Sequence, residues 1–177
     1  QQGYSIDDLA NLTPEHHARA LEAFRHYRNG PLFTPPSREG TLTAPGYQGG
    51  PSWGGGAFDP KTGYLITNVN NMAVVLKMIE APSDSRLRFL PISNRFMDPE
   101  TGVPFTKPPW GKLVAIDLAK GEIAWDVPLG FDPDVAKLGL DPTGTGAFNR
   151  GAPIVTAGGL TFIGATEDGY FRAFDSS

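Results

Sequence analysis

The three histidines, His16, His17 and His26, are the first candidates for metal or acid–base chemistry, and no two of them stand three or four residues apart. A chelating pair on one helix face needs that spacing, so solvated or helix-packing imidazoles are the reading it supports. Cysteine is absent from the 177 residues, which rules out disulfides, a Cys-x-x-Cys-His haem attachment and a thiolate metal site. That absence leaves the redox compartment open. The second candidate is a run of six glycines between Gly46 and Gly56, where backbone can approach a partner closely. No Gly-Lys-Ser/Thr follows it and no helical pattern begins after it, which argues against a phosphate-binding P-loop. The carboxylates Asp59, Asp117 and Asp175 each sit beside a turn and carry no catalytic pattern.

Positioning such residues falls to a turn-rich chain. Glycine (22) and proline (17) together are nearly twice as frequent as in average proteins, which argues against a helical bundle or coiled coil. Hydrophobic residues make up 40% and charged residues 19%, the composition of a globular domain with a core. The net charge is −4 with no run of like charges, so no nucleic-acid footprint is present and no anionic-membrane footprint either. The longest apolar stretch, Met72 to Met78, contains Lys77 and falls far short of the ~20 residues of a membrane span. Gln1-Gln2-Gly3 opens straight into polar sequence, so any signal peptide is expected to have been removed or to lie upstream.

Residues 1–30 form one segment and 31–177 another. In the first, Leu9, Leu12, Leu21, Phe24 and Tyr27 recur at helical steps with one gap, and Thr13-Pro14-Glu15 supplies an N-cap, a first-turn proline and an acid. This predicts a helix over about 13–28, stopped by Asn29-Gly30 in a left-handed turn. Residues 30–56 read as loop and 70–110 as an irregular, proline-rich insertion. Between and after them lie strand signals: Ala57-Phe58, the turn 59–63, then 64–69; 112–117, the turn 118–121, then 122–127; and 152–156, 160–165 and 170–175. The 59–63 turn corresponds to Thr156-Ala157-Gly158-Gly159, and Val114–Asp117 to Arg172–Asp175. Four antiparallel strands per unit suit a β-propeller blade, with a β-sandwich as the alternative that periodicity leaves open.

Ala115-Ile116-Asp117-Leu118-Ala119-Lys120-Gly121-Glu122-Ile123-Ala124-Trp125 resembles the tryptophan-docking repeat of quinoprotein dehydrogenases, Ala-x-Asp-x-x-Thr-Gly-x-x-x-Trp, with Lys120 where threonine is usual. Gly40-Thr41-Leu42, Trp53-Gly54-Gly55, Lys107-Pro108-Pro109-Trp110-Gly111 and 151–159 are similar to stretches of the membrane-type glucose dehydrogenase branch, whose cofactor is pyrroloquinoline quinone (PQQ). The resemblance runs from about Gly30 to the end.

It implies an all-β fold, a partial eight-bladed β-propeller of about two blades with an N-terminal helix and long loops, the last blade truncated. The implied role is the C-terminal part of a PQQ-dependent dehydrogenase that oxidises a sugar or polyol hydroxyl. Its implied partners are the remainder of the propeller, the substrate, and ubiquinone or a cytochrome as electron acceptor; the implied compartment is the periplasm, with any attachment to the inner membrane made through sequence outside these residues. Cofactors implied for the intact enzyme are PQQ and a divalent cation, calcium by family habit. The family's base and metal ligands come from preceding blades, so no catalytic or metal residue carries over and the chain alone is expected to be inactive. Aligning Gly63 with Gly159 sets Trp53 opposite Asn149, where inner strands begin beside the propeller axis. The cofactor-binding expectation is therefore Trp53, Asn149, Ser52 and Arg150. Ser52 stands where relatives often have a PQQ-contacting asparagine, and Tyr47-Gln48 where a family asparagine can approach the quinone. The competing reading is a non-catalytic propeller scaffold for protein assembly.

Overall fold

Turn chemistry and apolar alternation divide the chain into short strands and one helix. In a computed structural model, which describes residues 3–31, 33–46 and 50–177 apart from the side chain of Ser52, these are, in chain order, α1 (Pro14–His26), β1 (Thr41–Thr43), β2 (Pro51–Asp59), β3 (Tyr64–Asn70), β4 (Val74–Glu80), β5 (Phe89–Arg95), β6 (Gly111–Asp117), β7 (Glu122–Pro128), β8 (Ile154–Val155), β9 (Leu160–Ile163) and β10 (Arg172–Asp175). The chain separates into two compact units, 1–47 with 72–107 and 48–71 with 108–177. The division therefore does not fall at residue 30: the N-terminal helix shares its unit with most of the 70–110 stretch.

In the first unit, Thr13 caps α1, its Oγ1 accepting from the His16 backbone N–H at 3.2 Å, and Pro14 opens the helix. The helix ends earlier than the sequence suggests. Tyr27 is extended (φ −97°), and Asn29-Gly30 makes no left-handed stop. The backbone of Arg28 is captured instead by a neighbouring segment, its N–H donating to Gly40 O (2.9 Å) and its carbonyl accepting from Leu42 N–H (2.8 Å). The stretch read as irregular contains β4 and β5, an antiparallel hairpin that pairs with β1 in the order β1-β4-β5. Its proline-rich composition hid it. Pro91 is tolerated within β5 because that strand lies at the sheet edge, where a missing donor breaks no ladder.

The helix lays Ala20, Leu21, Phe24 and Tyr27 against Leu42, Val75, Phe96 and Phe105. His16 is fully buried, its ring 5.4 Å from that of Phe105, so the helix-packing reading of this histidine is the one that the structure shows. Arg19 holds the buried carboxylate of Asp98 with two donors, at 2.6 and 3.0 Å, and this pins the helix to the segment after β5.

The second unit contains the four-stranded antiparallel sheet β2-β3-β6-β7 and the three-stranded sheet β10-β9-β8. The first is a complete blade, and its third and fourth strands are separated from the first two by the 72–107 excursion. The second supplies three strands of another, each in the place expected from its counterpart in the first. Ile66, Leu113, Ala115 and Leu129 meet Ile163 between the sheets, with Trp125, Val155 and Phe174 packed around them. Trp125 also donates its indole N–H to Ser176 O at 3.4 Å. Across the opposite face of the complete blade, Phe58, Leu65, Ile116 and Ile123 stand in register as one apolar row. Its two ends are more than half exposed. The outer face of the three-stranded sheet is apolar too, with Ile154 opposite Phe162 and Phe171 stacked on Phe162.

Burial pushes the His16 imidazole below its ordinary value of 6.5, with the Val103 backbone and Asp98 pulling the other way but less. An unfolded chain takes up a proton at that position as pH falls through 6.5 and the folded chain does not, so acidification destabilises the fold. Thermal unfolding should show a melting temperature that drops between pH 7.5 and pH 5.5, and His16→Phe should remove most of that drop. A drop of equal size in the variant would assign it to other groups.

Candidate functional site

The glycine run beside Trp53 is strand, not loop, but a distorted one. Pro51 pairs with Val69 and Gly56 with Thr67, so five steps along β2 face only two along β3. The surplus residues leave the ladder as a bulge. Glycine is needed there: Gly55 has φ +86°, and a Cβ on Gly56 would lie 2.8 Å from the carbonyl oxygen of Ile66. Trp53 rides on the bulge with its side chain 95% exposed. A large indole presented this way on an ordered strand offers an open aromatic face.

The bulge lies against the start of the second sheet. A Cβ on Gly54 would be 2.9 Å from the carbonyl carbon of Gly151, so the two backbones pass in contact. The pairing of the second sheet begins earlier than β8. Asn149 bridges Thr166, and Arg150 N–H donates to Ala165 O at 2.9 Å. The structure thus brings Gly54, next to Trp53, against Gly151, next to Arg150, on two neighbouring sheets. Arg150 is exposed, with its guanidinium 5.1 Å from the ring centre of Phe148. Ser52 lies on β2, its side chain outside the described residues. Tyr47 and Gln48 also fall outside them.

Asn149 is placed differently from its expected partners. It is fully buried, and its Nδ2 donates to Ala147 O (3.1 Å) and Val69 O (3.4 Å). Its Oδ1 accepts from Asn68 Nδ2 at 2.6 Å. Asn70 then treats the Asn149 backbone as a sheet neighbour would. The Asn70 Oδ1 accepts from Asn149 N–H (2.9 Å), and its Nδ2 donates to Asn149 O (2.8 Å). Both amide hydrogens of Asn149 are engaged by protein, so in this structure its side chain is not presented as a donor to a ligand. It joins β3 to the rim of the second sheet. The fit is close: a Cβ on Gly111 would lie 2.6 Å from Asn149 Nδ2, and one on Gly146 would lie 2.3 Å from Gly111 O.

Sequence reasoning missed Asn68 and Asn70. Two asparagines at period two in a strand, where asparagine is disfavoured, were an available signal. Also missed was Asp168, whose side chain is wholly buried and holds Arg172 at 2.5 and 3.0 Å. Burial pushes this carboxyl up, but Arg172, Thr166 and the N–H groups of Tyr170 and Phe131 outweigh it and hold it at about 2. The Phe131 N–H bond (3.0 Å) ties the connection after β7 to the second sheet. Among the described residues, no group of three or more His, Asp or Glu side chains is arranged to hold a metal ion.

The chain matches over residues 1–177 the family described as "PQQ: Glucose/ethanol/alcohol dehydrogenase, beta-propeller domain". It is 33% identical over 194 residues to the quinate/shikimate dehydrogenase (quinone) of Acinetobacter baylyi, a match covering 96% of this chain and 24% of that protein. It is 33% identical over 200 residues to the glycerol dehydrogenase large subunit of Gluconobacter thailandicus, covering 95% and 27%. With the quinoprotein glucose dehydrogenase of Escherichia coli it shares 33% over 180 residues, covering 87% and 22%. The chain thus spans about a quarter of the length of these relatives.

The geometry separates the two inner-strand residues. Asn149→Ala leaves the buried Asn68 Nδ2 and the carbonyls of Val69 and Ala147 without the amide they bond, and should lower unfolding free energy by roughly 2–4 kcal/mol. Trp53→Ala should change it by less than about 0.5 kcal/mol, because the ring is exposed. Urea unfolding of the two variants checks this. Equal destabilisation would mean that the indole is packed rather than presented.

Proposed function

The chain belongs to the PQQ-dependent glucose/ethanol/alcohol dehydrogenase β-propeller family, and from that premise we propose that it supplies one complete blade and most of a second to a quinoprotein dehydrogenase acting on a sugar or polyol hydroxyl. The observation that carries this reading is the joint rim of the two inner strands, where an exposed indole and an exposed guanidinium stand on backbones in direct contact. Those residues fit a flat, anionic quinone. Trp53 offers a ring face for stacking and Arg150 a positive charge for a carboxylate. Asn149 is assigned a positioning role, holding the start of the second inner strand at the height of the bulge.

When bound, PQQ supplies the two-electron acceptor that no side chain of this chain provides. The chain's own part is to bind and orient it: Trp53 limits tilt, Arg150 limits in-plane rotation, and the glycine bulge lets the cofactor approach the backbone. The divalent cation, proposed as calcium, and the catalytic base are assigned to other blades. The apolar outer faces of the two sheets support such neighbours, since Phe58, Ile123, Ile154 and Phe171 are each more than half exposed. The relatives' names support the substrate class, since they specify quinate and shikimate, glycerol, and glucose. The name of the quinate/shikimate enzyme specifies a quinone, which favours electron delivery to ubiquinone, with a cytochrome as the other acceptor. The periplasm is the compartment proposed, on family resemblance alone.

In the intact enzyme, Trp53→Ala should raise the PQQ concentration needed for half-maximal reconstitution of the apo-enzyme at least tenfold and leave the sugar KM at saturating PQQ within about twofold, as expected for a lost stack of roughly 1.4 kcal/mol. An unchanged half-saturation would remove Trp53 from the cofactor site. The 177-residue chain alone should not reduce dye with glucose even when PQQ and calcium are added.

A further inference from the structure

The first unit has a cleft of its own, about 790 Å³, between α1 and the β4-β5 hairpin. That volume lies within the range of small-molecule sites. Its wall is made of Val75, Met97 and the rings of Tyr27, Phe96 and Phe105. Four cationic side chains line it, Arg19, Arg25, Lys77 and Arg95, against a single carboxylate, Glu22. Arg19 is committed to Asp98 and Glu100. Arg25 and Lys77 are exposed and, among the described residues, form no ion pair. The chain as a whole carries −4, so this concentration of positive charge runs against the average of the molecule.

We propose that this cleft binds a small organic anion with a flat apolar ring, in chemical class an aromatic carboxylate. Ring and charge are both required by the lining. The aromatic and aliphatic wall gains from burying a hydrophobic face, and Arg25 and Lys77 at the cleft are placed to meet a carboxylate at its edge. A polyhydroxylated ligand suits it less well. Its polar partners lie among the charged groups and at Asn94, His26 and Tyr27, while hydroxyls set against Val75, Phe96 and Met97 would lose their hydrogen bonds to water without replacement. The inference does not depend on the cofactor reading, because every lining residue belongs to the first unit.

The test uses the 177-residue chain at pH 7 and the fluorescent probe 2-naphthoate, with 2-naphthol as the same ring uncharged and acetate as the charge without the ring. Saturable one-to-one binding of naphthoate is expected with a Kd below about 1 mM, and at least tenfold weaker binding of each comparison compound. The double variant Arg25→Glu/Lys77→Glu should weaken naphthoate binding at least tenfold. Both side chains are exposed, so circular dichroism should show an unchanged fold; the single variant Arg25→Gln, with a loss of at least threefold, serves if it does not. No saturable binding of naphthoate would overturn the proposal, as would equal affinity for naphthol or for acetate, or variants that bind as the parent does.

Discussion

The second unit depends on one polar contact made between strands about eighty residues apart. Asn68 and Asn70 project from the same face of β3 and close on Asn149, one onto its side-chain amide and the other onto its backbone. Asparagine is a poor strand residue, and burying its amide is unfavourable unless its hydrogen bonds are made. Here the pairing itself selects the register: a slip of one residue would point both side chains at the wrong face. The apolar contact of Ile66, Leu113 and Ile163 holds the sheets together but would tolerate sliding, since hydrophobic burial has no direction. The asparagine contact does not tolerate it. Gly111 follows from the same constraint, because a side chain there would meet Asn149 Nδ2, and Gly146 follows in turn, because a side chain there would meet the Gly111 backbone.

That fixed register is what gives the exposed residues a shared location. Trp53 and Arg150 come from different sheets, and among the described residues the ring or head-group contact recorded for the pair is that of Arg150 with Phe148. Their common level derives from Gly54 lying on Gly151 and from Asn149 tied to β3. Asp168 extends the same arrangement outward, its carboxylate binding Arg172 on one side and the Phe131 N–H on the other. A rim assembled in this way is ordered before any ligand arrives, which lowers the entropy lost on binding.

Much of this was legible from the residues alone. The blade β2-β3-β6-β7 could be read because Asp59 to Gly63 and Asp117 to Gly121 are turn sequences between alternating runs, and local signals of that kind survive folding. Aligning those turns singles out Trp53 and Asn149, with Arg150 as the cation next to Asn149. Three features were not legible, for distinct reasons. The β4-β5 hairpin lies in proline-rich sequence without a tight-turn signature, and its pairing with β1 is a tertiary event. The end of α1 is decided by strand-like capture of Arg28 rather than by Asn29-Gly30. The role of Asn149 depends on Asn68 and Asn70, and sequence spacing does not reveal that a side chain's donors will be satisfied from so far away.

The central claim is that the fixed rim presents a positive charge and an aromatic face to a planar anionic quinone. Its most direct test is the PQQ affinity of the intact apo-enzyme carrying Arg150→Glu, measured by titration at physiological ionic strength with the melting temperature recorded alongside. The account predicts at least a tenfold loss of affinity with the melting temperature unchanged, since Arg150 is exposed and the Asn149 contact is untouched. An affinity equal to that of the parent enzyme would contradict it, and would leave the asparagine contact as architecture with no cofactor beside it.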